Sequence, residues 1–308
     1  MLAFVCPGQG SQSPGMQNEL ADRYAVVQAT YAEASEMLGY DLWRLVQDGP
    51  ADRLSETVVT QPAMLAAGVS AWRAWKEAGG ADPQQFAGHS LGEYTALVCA
   101  GAIEFAAAVK LVQRRSQLMQ DAVPAGEGAM AAILGLDDQA VVDLCERAAS
   151  GGVAQAVNFN SPGQVVVAGD CDAVERVIEL AGEAGARRAI MLPVSVPSHS
   201  SLMRPAGEAL GEALAATDFR TPAITVVNSV TAVPYGDAED IRERLQRQVS
   251  SPVRWVDTVN FMLQGGATAL VECGPGKVLT GLNKRISRAT PAACIESPDS
   301  LGRALELQ

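Results

Sequence analysis

The chain has 308 residues, 48% hydrophobic and 19% charged, which is enough apolar content for one large domain or two smaller ones around a sizeable core. Its 35 acidic against 23 basic side chains give a net charge of −12 with no basic tract, so nucleic-acid binding is not expected. No secretory leader is expected, and no membrane span, because no run of about 18 uninterrupted apolar residues occurs. The six cysteines (Cys6, Cys99, Cys145, Cys171, Cys273 and Cys294) are scattered without a C-x-x-C pair, and read as free thiols of a cytoplasmic protein.

Residues 2–6 form a short apolar run stopped by Pro7, which predicts a buried strand. Pro7-Gly8-Gln9-Gly10-Ser11-Gln12 follows as a Gly-punctuated loop. It is not a dinucleotide fingerprint, since position 13 is Ser, and Gly276-Lys277 is not a Walker phosphate loop, since Val271 and Val278 stand where Gly and Ser or Thr are needed. Helical periodicity occupies much of 18–38 and again 62–78, with Pro62 placed in the first turn and Gly79-Gly80 past the end. Phe86-Ala87 then leads into Gly88-His89-Ser90-Leu91-Gly92, the G-x-S-x-G spacing of a nucleophile elbow, with helices over 91–100 and 105–122 behind it. Strands alternating with helices predict a parallel sheet covered on both faces.

The texture changes at Pro124-Ala125-Gly126. The order becomes strand (129–136), helix (138–149), strand (154–158), turn (160–163), strand (164–168), helix (172–182) and strand (187–193). That is βαββαβ, the ferredoxin-like arrangement, and it reads as a small domain inserted in a larger one. The larger pattern resumes after the 193–197 region, with helices over 202–216, 237–249, 255–264 and 277–287 and strands over 224–228 and 269–273.

A serine nucleophile needs a base, and the chain has two histidines. His89 is next to Ser90, and its side chain should diverge at a sharp turn. That leaves His199, in a Pro/Ser loop ahead of a helix. No acid follows a large-domain strand between Ser90 and His199, so the imidazole should be oriented by a backbone carbonyl or an amide side chain, with Gln9 and Gln248 as the amide candidates. The Gln9 N–H could form an oxyanion hole with that of Leu91. Arg114-Arg115 interrupts an apolar-periodic helix, so that one guanidinium can face solvent while the other turns inward to bind a carboxylate.

The Pro7–Gln12 loop, Gly88-His89-Ser90-Leu91-Gly92-Glu93-Tyr94, Arg115, the run from Asn158 to Gln164, Pro197-Ser198-His199, Gln248 with Pro252-Val253, and Glu272-Cys273-Gly274-Pro275-Gly276 occur in one order. In this the chain closely resembles the malonyl-CoA:acyl-carrier-protein transacylases of bacterial fatty-acid synthesis, over almost its whole length. Acyltransferase domains of polyketide synthases share most of these motifs. The resemblance implies an α/β fold with a hydrolase-like core over 1–124 and 197–308 and a ferredoxin-like small domain over 125–196. It implies Ser90 as nucleophile, His199 as base, Gln9 and Leu91 as oxyanion donors, and Arg115 on the malonyl carboxylate. It places the main-chain carbonyl of Gln248 behind His199 and Asn160 in the cleft. It further implies malonyl-CoA as substrate, phosphopantetheine carried by an acyl carrier protein as acceptor, and no bound cofactor or metal. The carrier would dock on basic groups, with Lys277, Lys284, Arg285 and Arg288 and the pair Arg187-Arg188 as candidates. The competing expectations are a serine hydrolase or thioesterase, a catalytically idle binding subunit, and a free-standing polyketide-pathway acyltransferase.

Overall fold

Strand β1 (Leu2–Cys6) is buried at every residue and sits in the middle of a five-stranded sheet. The computed structural model describes residues 1–124, 126–194 and 196–308. The further strands are β2 (Gln85–Gly88), β3 (Gly128–Leu134), β4 (Ala154–Ser161), β5 (Gln164–Asp170), β6 (Arg188–Met191), β7 (Thr225–Val227), β8 (Ala269–Glu272) and β9 (Ala292–Cys294). The first sheet has the order β7-β2-β1-β8-β9 and every pairing in it is parallel.

The period of two along β1 divides the core. Phe4 and Cys6 point into one apolar cluster with the helices Thr57–Glu77, Gly92–Cys99 and Phe105–Asp121. Ala3 and Val5 point into the opposite cluster with Trp255, Val259 and Met262 of helix Trp255–Gln264 and Leu279 and Leu282 of helix Val278–Ile286. A strand covered on both faces must be apolar throughout, as β1 is. Phe4 meets Trp72, Trp75 and Phe86 edge-on at centroid distances of 5.7, 5.1 and 5.7 Å.

The second sheet is antiparallel, in the order β4-β5-β3-β6. Helices Asp138–Ala149 and Cys171–Glu183 cover one face through Val141, Leu144, Val174 and Val177. The other face carries Met130, Val157, Val166 and Ala168 with Leu192 and Val194. β4 is tied to the segment just before helix Trp255–Gln264: the Phe159 N–H donates to the Val253 carbonyl and the Val253 N–H to the Val157 carbonyl, both at 2.9 Å. The first residue of the expected small domain, Ala125, lies outside the described residues, as does Ser195.

Several expected elements differ in extent. The helical stretch over 18–38 is two helices, Asn18–Arg23 and Ala25–Leu38, because Tyr24 is extended at φ −126° and ψ 104°. The helix expected over 62–78 is Thr57–Glu77, with Pro62 inside it rather than in its first turn. An internal proline forfeits a backbone hydrogen bond and costs about 3 kcal/mol. Burial of nearly every residue from Val59 to Ala71 offsets that cost. Short helices Leu42–Asp48 and Ala51–Leu54, strand β9 and helix Pro298–Leu305 have no counterpart in the sequence reading. All six cysteines are free, and five are buried. No helix of the described residues is long and apolar enough to cross a membrane.

Phe4 is the aromatic keystone of the central strand, fully buried among three other rings. Phe4→Ala should cost about 3–5 kcal/mol of stability, read from urea unfolding.

Candidate active site

The turn after β2 brings the first chemical group into place. Ser90 has φ 53°, the left-handed region that a residue with a side chain enters only under constraint. Two glycines make the turn feasible. A Cβ on Gly88 would lie 1.9 Å from the Gly92 carbonyl carbon, and one on Gly92 would lie 2.0 Å from the Cys6 carbonyl oxygen. The His89 N–H donates to that same Cys6 oxygen at 3.0 Å, so the turn is fastened to the end of β1. Helix Gly92–Cys99 starts directly behind Ser90.

His199 approaches from the far side and also has a left-handed backbone, φ 67°. Its N–H donates to the Val249 carbonyl at 3.0 Å, which pins the loop to the end of helix Ala238–Gln248. Nε2 lies 2.7 Å from Ser90 Oγ. Nδ1 faces two carbonyls, those of Gln248 at 2.9 Å and Ser251 at 3.1 Å. Two acceptors at Nδ1 require the proton there, which leaves the Nε2 lone pair facing the hydroxyl. Burial, and then the nearby Arg115 charge, lower the imidazole pKa from 6.5 to about 3. The ring therefore stays neutral in the free protein and can accept a proton.

Arg115, on helix Phe105–Asp121, is 1% exposed, while its neighbour Arg114 faces solvent. Nη1 donates to Gln61 Oε1 at 2.7 Å, and Nη2 donates to Gln248 Oε1 at 3.1 Å and to Ser90 Oγ at 3.3 Å. The Tyr94 ring lies 5.6 Å from the guanidinium. Its Nε has no hydrogen-bond partner among the described residues, and no carboxylate there forms an ion pair with it. A buried guanidinium held by neutral acceptors retains its attraction for an anion.

These groups open onto one cavity of about 310 Å³, which Gln9, Ser90, Leu91, Arg115, Asn160 and His199 line. The face of the antiparallel sheet opposite its two helices supplies one wall through Met130, Val166, Leu192 and Val194, and helix Val278–Ile286 another through Leu279 and Leu282. Gln248 lies behind the cavity, and its side-chain amide donates to the Ser90 carbonyl at 2.9 Å. His89 does diverge from Ser90: its Nε2 meets Asn160 Oδ1 at 2.8 Å and its ring packs on Trp255. Burial lowers its pKa as well. The sequence reading overlooked Gln61 and Ser251. Gln61 carried one usable signal, an amide inside an otherwise apolar helix. Ser251 acts through its carbonyl, which every residue has. Among the described residues, no group of three or more His, Cys, Asp or Glu is arranged to hold a metal ion.

A strand, a strained serine turn, a helix and a histidine backed by carbonyls, with no carboxylate on its Nδ1 among the described residues, make a geometry suited to acyl-group chemistry. The chain belongs to the acyl transferase domain family, whose model matches residues 3–299. It is 53% identical to the malonyl CoA-acyl carrier protein transacylase of Escherichia coli K12 over 99% of both chains. An acyl carrier protein S-malonyltransferase from Vibrio cholerae superposes with TM-score 0.96 at 55% identity, covering 98% of this chain and 99% of that one. A malonyl-transacylase solved in complex with its type II PKS acyl-carrier protein superposes with TM-score 0.98 at 52% identity, covering 100% of this chain and 99% of that one.

The lowered pKa of His199 has a stability consequence of fixed sign. Between its ordinary value of 6.5 and about 3, the unfolded chain binds a proton at His199 that the folded chain does not, so stability falls as pH falls through that window. From pH 7.5 to 5.0, His199→Gln should lose about 2 kcal/mol less than the native protein, as measured by chemical denaturation at the two pH values.

Proposed function

We propose that this chain transfers the malonyl group of malonyl-CoA to the phosphopantetheine thiol of an acyl carrier protein through a malonyl-Ser90 ester. The observation that carries the reading is Arg115, a buried cation 3.3 Å from Ser90 Oγ with no ion-pair partner among the described residues. An acyl group ending in a carboxylate supplies that partner, whereas an acetyl group would leave the charge unpaired.

The neutral Nε2 of His199 takes the Ser90 proton as Oγ attacks the thioester carbon. The oxyanion is held by the N–H groups of Gln9 and Leu91, each worth about 3 kcal/mol in the transition state. The carbonyls of Gln248 and Ser251 hold the imidazolium, so no triad acid is used. Collapse expels the CoA sulfur, which leaves with the proton from His199. The carrier thiol then gives its proton to His199 and attacks the ester, and Ser90 leaves as the alcohol after taking that proton back. Every proton in the cycle passes through one imidazole, and the kinetics are ping-pong. Asn160 holds His89 at the cleft wall. The acyl group lies in the cavity between Ser90 and the Met130 and Val166 side of the antiparallel sheet.

The same reading extends to architecture and partner. The first sheet is a hydrolase-like core, and the order β4-β5-β3-β6 is that of a ferredoxin-like insert spanning 125–196. Arg188 pairs with Leu134, Leu134 with Gln164, and the Arg285 guanidinium donates to the Gln164 amide oxygen. One row thus joins the two basic groups into a single surface on which an acidic carrier would dock. The cytoplasm, where free thiols persist, is the expected compartment.

Malonyl-CoA should leave a malonyl adduct on the native protein in intact-mass spectra and none on Ser90→Ala. Holo-carrier should remove the adduct and gain it, while rapid loss to water without a carrier would favour a hydrolase. Arg115→Ala should lower malonyl transfer by at least 100-fold, about 3 kcal/mol, and acetyl transfer far less, as read from kcat/KM with the two CoA esters. An equal loss on both would reject the carboxylate clamp.

A further inference from the structure

Glu272 closes strand β8, and no step of the scheme above uses it. Its side chain is fully buried. Oε1 accepts from the Leu279 N–H at 3.0 Å, and Oε2 accepts from the Thr280 N–H at 2.7 Å. Both donors belong to the first turn of helix Val278–Ile286, where a helix cannot satisfy its own N–H groups. Lys277 stands at the N-cap position, and its side chain makes no cap hydrogen bond. The helix is capped instead by the carboxylate of the strand before it, one oxygen to each N–H.

The chain between strand and helix packs on the loop that carries Gln9. A Cβ on Gly276 would lie 3.2 Å from the Ser11 carbonyl oxygen, and one on Gly274 would lie 2.8 Å from the Pro7 ring. Residues 7–11 thus close the inner side of this connection, and Glu272 fixes its far end. The capped turn stands at the mouth of the cavity. Val278 lines the cavity and is 45% exposed, while Leu279 and Leu282 line it from buried positions. Gln9 and Gly10 are exposed lining residues of the adjoining loop.

Charge separates this rim from the other approach. Lys277, Lys284 and Arg285 are exposed on the helix and its cap. A neighbouring cavity meets the first at Gln9, Ser55, Thr57, Pro193 and Val194, and exposed Asp52 and Glu56 line it. An anionic ligand is drawn to the first side and repelled from the second.

We propose that Glu272 is a positioning residue: by holding the first turn of helix Val278–Ile286 beside the Gln9 loop, it fixes the rim along which the phosphopantetheine arm of CoA and of the carrier reaches Ser90. The inference rests on the malonyl-transfer reading, in which donor and acceptor thiols hang on the same arm. Contacts along the arm are equal in the ground state and the transition state, so they set KM and leave kcat unchanged. Ser90 and His199 are fastened elsewhere, through His89 to the end of β1 and through Val249 to the end of helix Ala238–Gln248.

The test compares malonyl-CoA with the malonyl thioester of N-acetylcysteamine, which presents the same reacting group on a stub of the arm. Glu272→Gln sets an amide nitrogen against a backbone N–H, so one bond of the cap is lost. The helix keeps its other ties, from Trp255 Nε1 to Asn283 Oδ1 at 3.1 Å and from the Thr280 hydroxyl to the Ala293 carbonyl at 3.3 Å. The KM for malonyl-CoA and that for the holo-carrier should each rise roughly tenfold, the scale of one buried hydrogen bond lost, at unchanged kcat. The kcat/KM for the stub should stay at its native value. An equal loss on both thioesters overturns the proposal, because it marks a general structural role, and so does a native KM for malonyl-CoA. If the native protein itself moves no malonyl group to a holo-carrier, the transfer reading falls. A native protein that does so, with a Glu272→Gln variant that treats the two thioesters as the native does, rejects the role of Glu272 alone.

If Glu272→Gln does not fold, Glu272→Asp and Val278→Asp decide. The first keeps both acceptors on a side chain one methylene shorter, which draws the capped turn back towards β8. The second puts a negative charge on the exposed rim at a helix N-terminus that favours it. Each should raise the KM for malonyl-CoA and spare the stub. A native ratio of the two KM values in either variant overturns the proposal.

Discussion

A guanidinium buried at 1% exposure within 3.3 Å of a serine hydroxyl is the constraint to which the rest of the site conforms. In the proposed reaction that charge is kept for the substrate carboxylate, and no acid among the described residues meets the histidine's Nδ1. The imidazole instead rests on the carbonyls of Gln248 and Ser251, which are dipoles and carry no net charge. The arginine also helps keep that imidazole neutral. In the proposed reaction, substrate choice and base strength are therefore two effects of one side chain.

The geometry is held by backbone more than by side chains. Ser90 and His199 both occupy left-handed conformations and are each tied by an N–H in or beside the turn, through His89 to Cys6 and through His199 to Val249. β1 supplies the first anchor and the end of helix Ala238–Gln248 the second. Strain at reactive residues persists only where surrounding structure over-determines it, and here a buried central strand does so on one side.

The parts of this arrangement that were legible in the sequence are those with local causes. The glycines of 88–92 announce a crowded turn because their Cβ positions are filled by backbone. A single spare histidine narrows the base to one candidate, and Arg115 stands out as a charge in an apolar stripe. The parallel sheet was legible from the alternation of apolar runs with amphipathic stretches. Other features were hidden because their causes lie far apart in the chain. Pro62 looked like a helix start because its cost is offset only by burial against other elements. Three-residue β9 borrows its order from β8. Gln61 and Ser251 take their meaning from partners dozens of residues away, and a carbonyl leaves no mark on a sequence at all.

The two-bond bridge between β4 and Val253 has a consequence for how such proteins can be recombined. From the sequence, residues 126–194 read as a cassette. Yet the cassette's β4 completes its hydrogen bonding on a residue nearly sixty positions beyond its end, two after the Ser251 carbonyl that faces His199. Exchange of the cassette between relatives is therefore not modular. A graft that carries a foreign β4 must keep the hydrogen bonding to Val253, two residues from the carbonyl that supports the imidazole.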